Sequence, residues 1–114
     1  MDVRYERQLK RGMLEIIVLK MISRAPTYGY QLISEMDRQS SGLFKIKEGT
    51  LYPILYRLED DGMIKSEWSL PKDREVSKKY YTITPKGVDN LKELTELWET
   101  FDTTVTRMVV SSEL

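Results

Sequence analysis

The chain has 114 residues, which allows one domain with a single core and leaves no room for a second domain of ordinary size. It carries 18 Lys and Arg against 18 Asp and Glu, and it contains no histidine and no cysteine. These absences exclude thiol nucleophiles, histidine-dependent catalysis, disulfides and zinc sites of the usual kind, so we expect no enzyme, no metal and no cofactor.

The distribution of charged and apolar residues indicates the setting in which the protein acts. The N-terminal segment is densely charged, and the longest apolar stretch is far shorter than the roughly 20 residues of a membrane span. We therefore expect a cytoplasmic protein with no membrane partner. Residues 1–82 hold 15 basic and 12 acidic side chains, whereas residues 83–114 hold 3 and 6. This difference predicts two surfaces with different partners.

Two helices are predicted in the first third of the chain. Apolar residues recur at helical spacing over residues 5–22, which predicts a first helix that is buried on much of its circumference. After Ala25-Pro26, Thr27 is expected to cap a second helix that ends at residues 40–42. This second helix would direct Leu32, Ile33 and Met36 toward the core.

A third helix is predicted from about Gly49 and Thr50 to Asp61, with Gly62 as its C-terminal stop. The late start follows from Pro53, because proline is tolerated only within or just after the first turn of a helix. The apolar residues have the spacing of one buried stripe, which comprises Leu51, Ile54, Leu55 and Leu58.

A β-hairpin is predicted after the third helix. Residues 64–70 alternate in polarity, with Ile64, Ser66, Trp68 and Leu70 on one face, and residues 79–84 form a second run of strand-favouring residues. The polar stretch between the two runs predicts a long charged tip.

The last predicted helix begins at Thr84-Pro85, a hydroxyl cap followed by proline at the first helical position, and runs to about Val110. Its apolar residues form a heptad seam, which comprises Leu91, Leu94, Trp98, Phe101, Val105 and Met108. A single chain would leave this seam exposed to water, so we expect a homodimer with the seam as its interface.

The order of these elements predicts a mainly α fold with a small β-hairpin. We interpret residues 1–84 as a winged helix-turn-helix DNA-binding domain and residues 85–114 as a C-terminal dimerisation helix, in one compact unit. Several segments then resemble PadR-type transcriptional regulators: residues 49–59 (GTLYPILYRLE), 61–64 (DGMI), 79–87 (KYYTITPKG), 11–15 (RGMLE) and 28–30 (YGY). Each segment is weak evidence alone, and the combination is specific.

The resemblance implies a homodimeric repressor that binds a double-stranded DNA operator and is released by a small aromatic or other hydrophobic effector. The twofold symmetry of the dimer then predicts a palindromic operator. The alternative is a winged-helix module that binds another protein and does not bind DNA, which the zero net charge slightly favours. An enzyme would have to use Glu59, Asp60 and Asp61, which lie at a helix end without any pocket or metal spacing.

The candidate DNA-binding residues lie on the second and third helices. A recognition helix enters the major groove N-terminus first, which favours contacts from that end of the third helix. Tyr52 and Tyr56 lie off the buried stripe and are expected to face outward, with cover of neighbouring apolar surface as the alternative. Tyr28 and Tyr30 are candidates for phosphate contacts, with a core position as the alternative for Tyr30. The other candidates on this surface are Lys45, Lys47, Gly49 and Thr50.

The tip of the hairpin supplies four further candidates for phosphate contact, Lys72, Arg74, Lys78 and Lys79, although a solvated loop would have a similar composition. PadR hairpins often carry a glycine-arginine-proline tip, from which residues 74–78 (REVSK) depart. The contact of this tip with the minor groove therefore stays open.

The effector site follows from the resemblance alone. PadR-like proteins with a short C-terminal region can hold a flat apolar pore at the dimer interface, and here Trp98, Phe101 and Glu15 would form its wall. The alternative for Trp98 is an ordinary core position. The alternative for Glu15 is an ion pair with Lys20 or Arg11.

Overall fold

The computed structural model describes residues 3–70 and 76–110. The helices are α1 (Val3–Arg24), α2 (Gly29–Gln39), α3 (Glu48–Asp60) and α4 (Pro85–Val109), and the strands are β1 (Ile64–Trp68) and β2 (Lys79–Ile83). The predicted fold, mainly helical with one small antiparallel hairpin, is confirmed. No helix in the described part of the chain is long and apolar enough to cross a bilayer.

The core is formed by the C-terminal half of α1 together with α2, α3, the hairpin and Leu91 of α4. Leu14, Val18, Leu19 and Ile22 are the buried residues of α1, whereas Leu9 in the preceding turns is exposed. The prediction that α1 is buried on much of its circumference is therefore wrong for its N-terminal half. The buried core begins only at Leu14, and Val3, Tyr5 and Leu9 of this half are exposed.

Thr27 has a different role from the predicted cap. It is buried and pairs with Tyr81 in an isolated antiparallel bridge, in which the Tyr81 N–H donates to the Thr27 carbonyl at 2.7 Å. The helix α2 begins two residues later, after Tyr28, which makes no side-chain cap. The prediction of a Thr27 cap is wrong because the backbone of Thr27 is engaged by β2 and extends the hairpin sheet by one residue.

The helix α3 begins at Glu48, one residue before its predicted start, and Pro53 is its sixth residue. Proline is acceptable there because the carbonyl left without its N–H belongs to the first turn, at Gly49. The predicted buried stripe is confirmed. After Asp61, Gly62 adopts a φ of 74°, and this left-handed turn leads directly into β1.

The hairpin is shorter than predicted. Ile64 pairs with Ile83 and Trp68 with Lys79, and the first strand ends at Trp68. Only Ile64 and Ser66 of the predicted inward face are covered, while Trp68 and Leu70 are exposed. The alternation of the sequence continues past the point where α1 and α3 lie beneath the strand, so its outer half has no core to face.

The predicted start of α4 is confirmed by the geometry of its cap. The Gly87 N–H donates to Thr84 Oγ1 at 3.1 Å, and the Thr84 hydroxyl lies 2.6 Å from the Gly62 carbonyl. The Lys86 ammonium donates to the Asp61 carbonyl at 2.7 Å. These contacts fix the first turn of α4 to the turn between α3 and β1, which sets the direction in which α4 leaves the domain.

Candidate DNA-binding and association surfaces

The N-terminal end of α3, the candidate recognition helix, is open to solvent. Lys45, Lys47, Gly49 and Thr50 are all exposed, and the cap residue Lys47 makes no side-chain cap. The first amides of a helix without such a cap can donate to an anion, and the positive end of the helix dipole favours one. Glu48 is the acidic residue of this first turn. These positions suit DNA contact, which stays a prediction for each residue.

Tyr52 and Tyr56 differ in orientation although they lie one turn apart. Tyr56 is exposed as predicted, but Tyr52 is half-buried and packs against the core, so the outward orientation is wrong for Tyr52. A Cβ placed on Gly29 would lie 2.6 Å from the Tyr52 hydroxyl oxygen. Because Gly29 has no side chain, the start of α2 leaves room for the phenol of Tyr52, and this contact joins α2 to α3.

Tyr28 connects the start of α2 to the hairpin. Its ring lies edge-on to that of Tyr80 with centroids 5.4 Å apart, and the Lys78 ammonium lies 4.4 Å from the centroid of the Tyr28 ring. Tyr30 is 71% exposed, so a core position is wrong for this residue. Tyr28 therefore positions the hairpin, while the Tyr30 phenol is accessible to a ligand.

The outer part of the hairpin is described only in part. Lys72 and Arg74 lie outside the described residues, and their contact with phosphate stays a prediction. Lys78 and Lys79, at the start of β2, are at least partly exposed. The Ser69 N–H donates to the Lys78 carbonyl at 2.8 Å, and the Lys78 N–H donates to Ser69 Oγ at 2.9 Å. These bonds continue the pairing of the two strands beyond Trp68 to Ser69 and Lys78.

Beneath the hairpin lies a buried phenol that periodicity did not single out. Tyr81 is almost fully buried, and its hydroxyl has no hydrogen-bond partner among the described residues. Burial, followed by the nearby Glu59 carboxylate, raises the pKa of Tyr81 to about 12. The Glu59 carboxylate itself accepts a hydrogen bond of 2.5 Å from the Ser66 hydroxyl. Alternation over residues 79–84 places Tyr80 and Tyr81 on opposite faces of the strand, but it does not say which of the two faces the core.

The predicted seam of α4 separates into two parts. Leu91 is only 8% exposed and Leu94 packs against the core of the same chain, so these two residues belong to the domain and not to a free interface. Beyond them Trp98 is 39% exposed and Phe101 59%, and Val105 and Met108 are also exposed. The helix thus begins on the core and continues past it, which leaves its distal half uncovered.

A groove of about 480 Å³ lies between this distal half of α4 and the N-terminal half of α1. Trp98, Phe101 and Glu15 all line it, together with Leu9 and Met13. The structure thus brings together the three residues that were predicted to form an effector wall. A smaller hollow of about 250 Å³ adjoins it, and Trp98 lines both.

Glu15 forms an ion pair with neither of its expected partners. Its carboxylate accepts a hydrogen bond of 3.3 Å from Nε of Arg57, on α3. Both side chains are partly exposed to water. The two residues are 42 positions apart, so local spacing held no signal for this pair. The pair therefore links α1, where Glu15 lines the groove, to α3, the candidate recognition helix.

Comparison with known proteins identifies the family. Residues 18–93 match the transcriptional regulator PadR-like family. The chain belongs to this family. The PadR resemblance of the sequence motifs is thereby confirmed, and PadR proteins are DNA-binding transcriptional regulators rather than enzymes.

Two transcriptional regulators from other bacteria are similar in sequence to this chain. The chain is 31% identical over 87 residues to transcriptional regulator Rv3488 of Mycobacterium tuberculosis, covering 76% of this chain and 77% of that protein. It is 26% identical to transcriptional regulator YqjI of Escherichia coli, covering 97% of this chain but only 51% of that protein. The chain thus spans about half the length of the E. coli relative.

Solved structures show the same fold. A transcriptional regulator from Clostridium thermocellum has a TM-score of 0.81 and 31% identity, with 90% of this chain and 98% of that chain covered. A PadR-like transcriptional regulator from Bacillus cereus has a TM-score of 0.79 and 30% identity, with 92% and 99% covered. The similarity therefore includes the winged helix-turn-helix and much of α4.

Proposed function

We propose that this PadR protein is a homodimeric repressor that binds a palindromic operator and is released by a small aromatic or hydrophobic effector. Residues 1–84 would contact DNA and residues 85–114 would form the dimer, and a DNA operator as the target implies action in the cytoplasm. The observation that supports this proposal most directly is the uncovered distal half of α4 beside the groove on α1.

A second copy of the chain is the partner that best fits the distal half of α4. Complete burial of an apolar side chain contributes about 1.5 to 3 kcal/mol, so covering four side chains that are roughly half exposed contributes about 1 kcal/mol each. Because a twofold axis covers the same residues in both copies, the total is about 8 kcal/mol before ordering costs. The four residues are Trp98, Phe101, Val105 and Met108.

The twofold axis also supports a palindromic operator. Two recognition helices on one face of such a dimer would enter successive major grooves, with half-sites about one helical turn apart. Exposed Lys45, Lys47 and Thr50 would approach the DNA first, and Tyr30 and Tyr56 would offer hydroxyls nearby. Short and basic side chains at a helix N-terminus suit base edges and phosphates respectively.

The groove between α1 and α4 supports an effector of aromatic character. Its volume of about 480 Å³ is within the range of small-molecule sites, and two aromatic rings line it. The same helices carry the uncovered apolar surface and the ion pair between Glu15 and Arg57 on α3. A ligand that favours one spacing of α1 and α4 would therefore shift the relative position of the two recognition helices and lower operator affinity.

The dimer and the operator are tested together with a matched pair of variants. Phe101→Asp places a charge on the distal half of α4, whereas Val88→Asp places the same charge at an exposed position near the start of the helix. We expect monomers for Phe101→Asp and dimers for Val88→Asp in sedimentation velocity. Only Val88→Asp should still shift DNA from the region upstream of its own coding sequence. A dimeric Phe101→Asp protein would contradict the assigned interface.

The effector site is tested by the fluorescence of Trp98 in a Trp68→Phe background. Planar aromatic compounds such as quinoline should quench it, and the same compounds should weaken the DNA shift. In Trp98→Phe, which keeps Trp68, the same compounds should bind more weakly by isothermal titration calorimetry, and an unchanged affinity would contradict stacking at Trp98. Quenching of Trp98 without any change in DNA binding would show that the groove binds such compounds but does not control release from the operator.

A further inference from the structure

A second cleft lies on the face of α1 that is turned toward the recognition helix. It has a volume of about 570 Å³ and separates the N-terminal half of α1 from the segment that leads into α3. Thr50, a candidate DNA contact, lines this cleft, so the cleft opens beside the end of α3 that is expected to enter the major groove. The charged residues of the cleft are Glu6, Arg7, Lys10, Arg11, Lys45 and Lys47.

The charge of this cleft is strongly positive although the chain as a whole is neutral. Five of its residues are basic and one is acidic. Glu6 is engaged by Lys10 at 2.8 Å, and this hydrogen bond and charge hold the pKa of Glu6 below its usual range. The carboxylate therefore stays ionised and offsets the charge of Lys10. Four cations remain, and none of them forms an ion pair or a side-chain hydrogen bond within residues 3–70 and 76–110.

The shape of the cleft favours an extended anion over a small one. Arg7, Arg11, Lys45 and Lys47 are all exposed, so none of them is desolvated in the way that a site for a small anion requires. Arg7 and Arg11 lie four residues apart on one face of α1 and therefore point the same way. Two rows of cations from two elements, open to water along their length, suit the spaced phosphates of a DNA backbone.

We propose that Arg7 and Arg11 of α1, together with Lys45 and Lys47, bind the backbone phosphates that flank the major groove receiving α3. The helix α1 then contacts DNA in addition to α2 and α3, and its other face lines the apolar groove beside α4. These contacts carry no base information and act on affinity and salt dependence for any sequence. The proposal rests on DNA binding by the recognition helix.

The test compares the salt dependence of DNA binding in four proteins: wild type, Arg7→Gln/Arg11→Gln, Arg7→Lys/Arg11→Lys and Lys20→Gln. Lys20 is a matched control because it is exposed on the same helix but lies outside the cleft. Binding is measured by fluorescence anisotropy on a labelled duplex several helical turns long, with the sequence upstream of the protein's own coding region and with a scrambled one.

Each phosphate bound contributes about 0.9 to the slope of log affinity against log salt, so replacing both arginines in each protomer of a dimer lowers the slope by about 3.6. Between about 50 and 200 mM salt, wild-type affinity should thus fall on the order of a hundredfold more than that of the glutamine variant. The lysine variant and Lys20→Gln should keep the wild-type slope, and the difference should be equal on both duplexes.

Three results would overturn the proposal, and they have different meanings. A wild type that binds DNA while the glutamine variant keeps the same slope would refute the role of α1 and leave the repressor intact. A wild type that binds neither duplex at low salt would refute the operator and the cleft together. An equal loss of slope in Lys20→Gln would mean that general charge, and not the cleft, is responsible.

Discussion

Gly87 is the position where a single methyl group should have the largest effect on this fold. A Cβ at Gly87 would lie 2.1 Å from the carbonyl oxygen of Met63, 2.7 Å from Cγ1 of Ile83 and 3.0 Å from the Met63 carbonyl carbon. Two of these atoms are backbone, and the Met63 carbonyl is already held by the Thr84 N–H at 3.0 Å. In Gly87→Ala the turn between α3 and β1 therefore has to separate from α4.

The loss of stability expected for Gly87→Ala follows from the close approach of the added Cβ to the Met63 carbonyl oxygen. Overpacking a well-packed site costs about 1 to 3 kcal/mol, and a backbone oxygen that cannot rotate away places this substitution at about 3 kcal/mol. For a domain of roughly 100 residues this corresponds to a loss of about 10 to 20 °C in Tm. The free energy of unfolding is measured by urea titration, followed by far-ultraviolet circular dichroism at one protein concentration.

Gly12→Ala provides the matched control, because a Cβ at Gly12 in α1 would meet nothing within 4 Å. Alanine is the better helix former, so this variant should gain about 0.5 to 1 kcal/mol. The reasoning would be refuted if Gly87→Ala unfolded at the wild-type urea concentration. It would also be refuted if both variants lost the same stability, because the loss would then not depend on the contact with Met63.

Individual side chains give three further predictions. Because the Tyr81 hydroxyl is buried without a hydrogen-bond partner among the described residues, Tyr81→Phe should be neutral or gain about 1 kcal/mol in urea titrations. The raised pKa of Tyr81, about 12, means that its contribution is complete below the unfolded value near 10 and is lost as the pH rises through 12. The phenylalanine variant should lack that alkaline loss, and an identical pH profile would contradict the assignment. Tyr52→Ala should lower the free energy of unfolding by about 2 kcal/mol, because the Tyr52 ring is half-buried. Tyr56→Ala should lower it by less than about 0.5 kcal/mol, because Tyr56 is exposed. Equal losses of stability in thermal unfolding would contradict this difference in packing. Glu15→Gln removes a partly exposed ion pair with Arg57, so the free energy of unfolding should stay within about 1 kcal/mol of the wild type in urea titrations. A larger loss would mean that the two charges interact more strongly than their exposure to water indicates.

Local patterns were sufficient wherever a few neighbouring residues decide the conformation. The spacing of Leu51, Ile54, Leu55 and Leu58 predicted the buried face of α3, because side chains at i, i+3, i+4 and i+7 share one face of any helix. Thr84-Pro85 predicted the start of α4, since a hydroxyl cap and a proline act within one turn. The hairpin was predictable for the same reason, because alternation in polarity is a property of neighbouring residues.

Other features depended on elements that are distant in the sequence. The bridge between Thr27 and Tyr81 replaces a helix cap that Thr27 alone would favour, because the backbone of β2 lies beside it. The phenol of Tyr52 turns inward because Gly29 leaves space at the start of α2. The periodicity of the sequence predicts neither the Thr27–Tyr81 bridge nor the inward orientation of Tyr52, because each depends on where a second element packs.

The sequence by itself determined the four helices, the hairpin and an apolar stripe along α4, because periodicity and capping are properties of contiguous residues. Only the tertiary structure decided how that stripe is divided, with Leu91 on the core and Phe101 beyond its edge. It also decided that Arg7 and Lys45 line one cleft. The physical reason is that the angle at which a helix leaves the core sets which of its side chains are covered, and that angle is fixed by contacts between residues far apart in the chain.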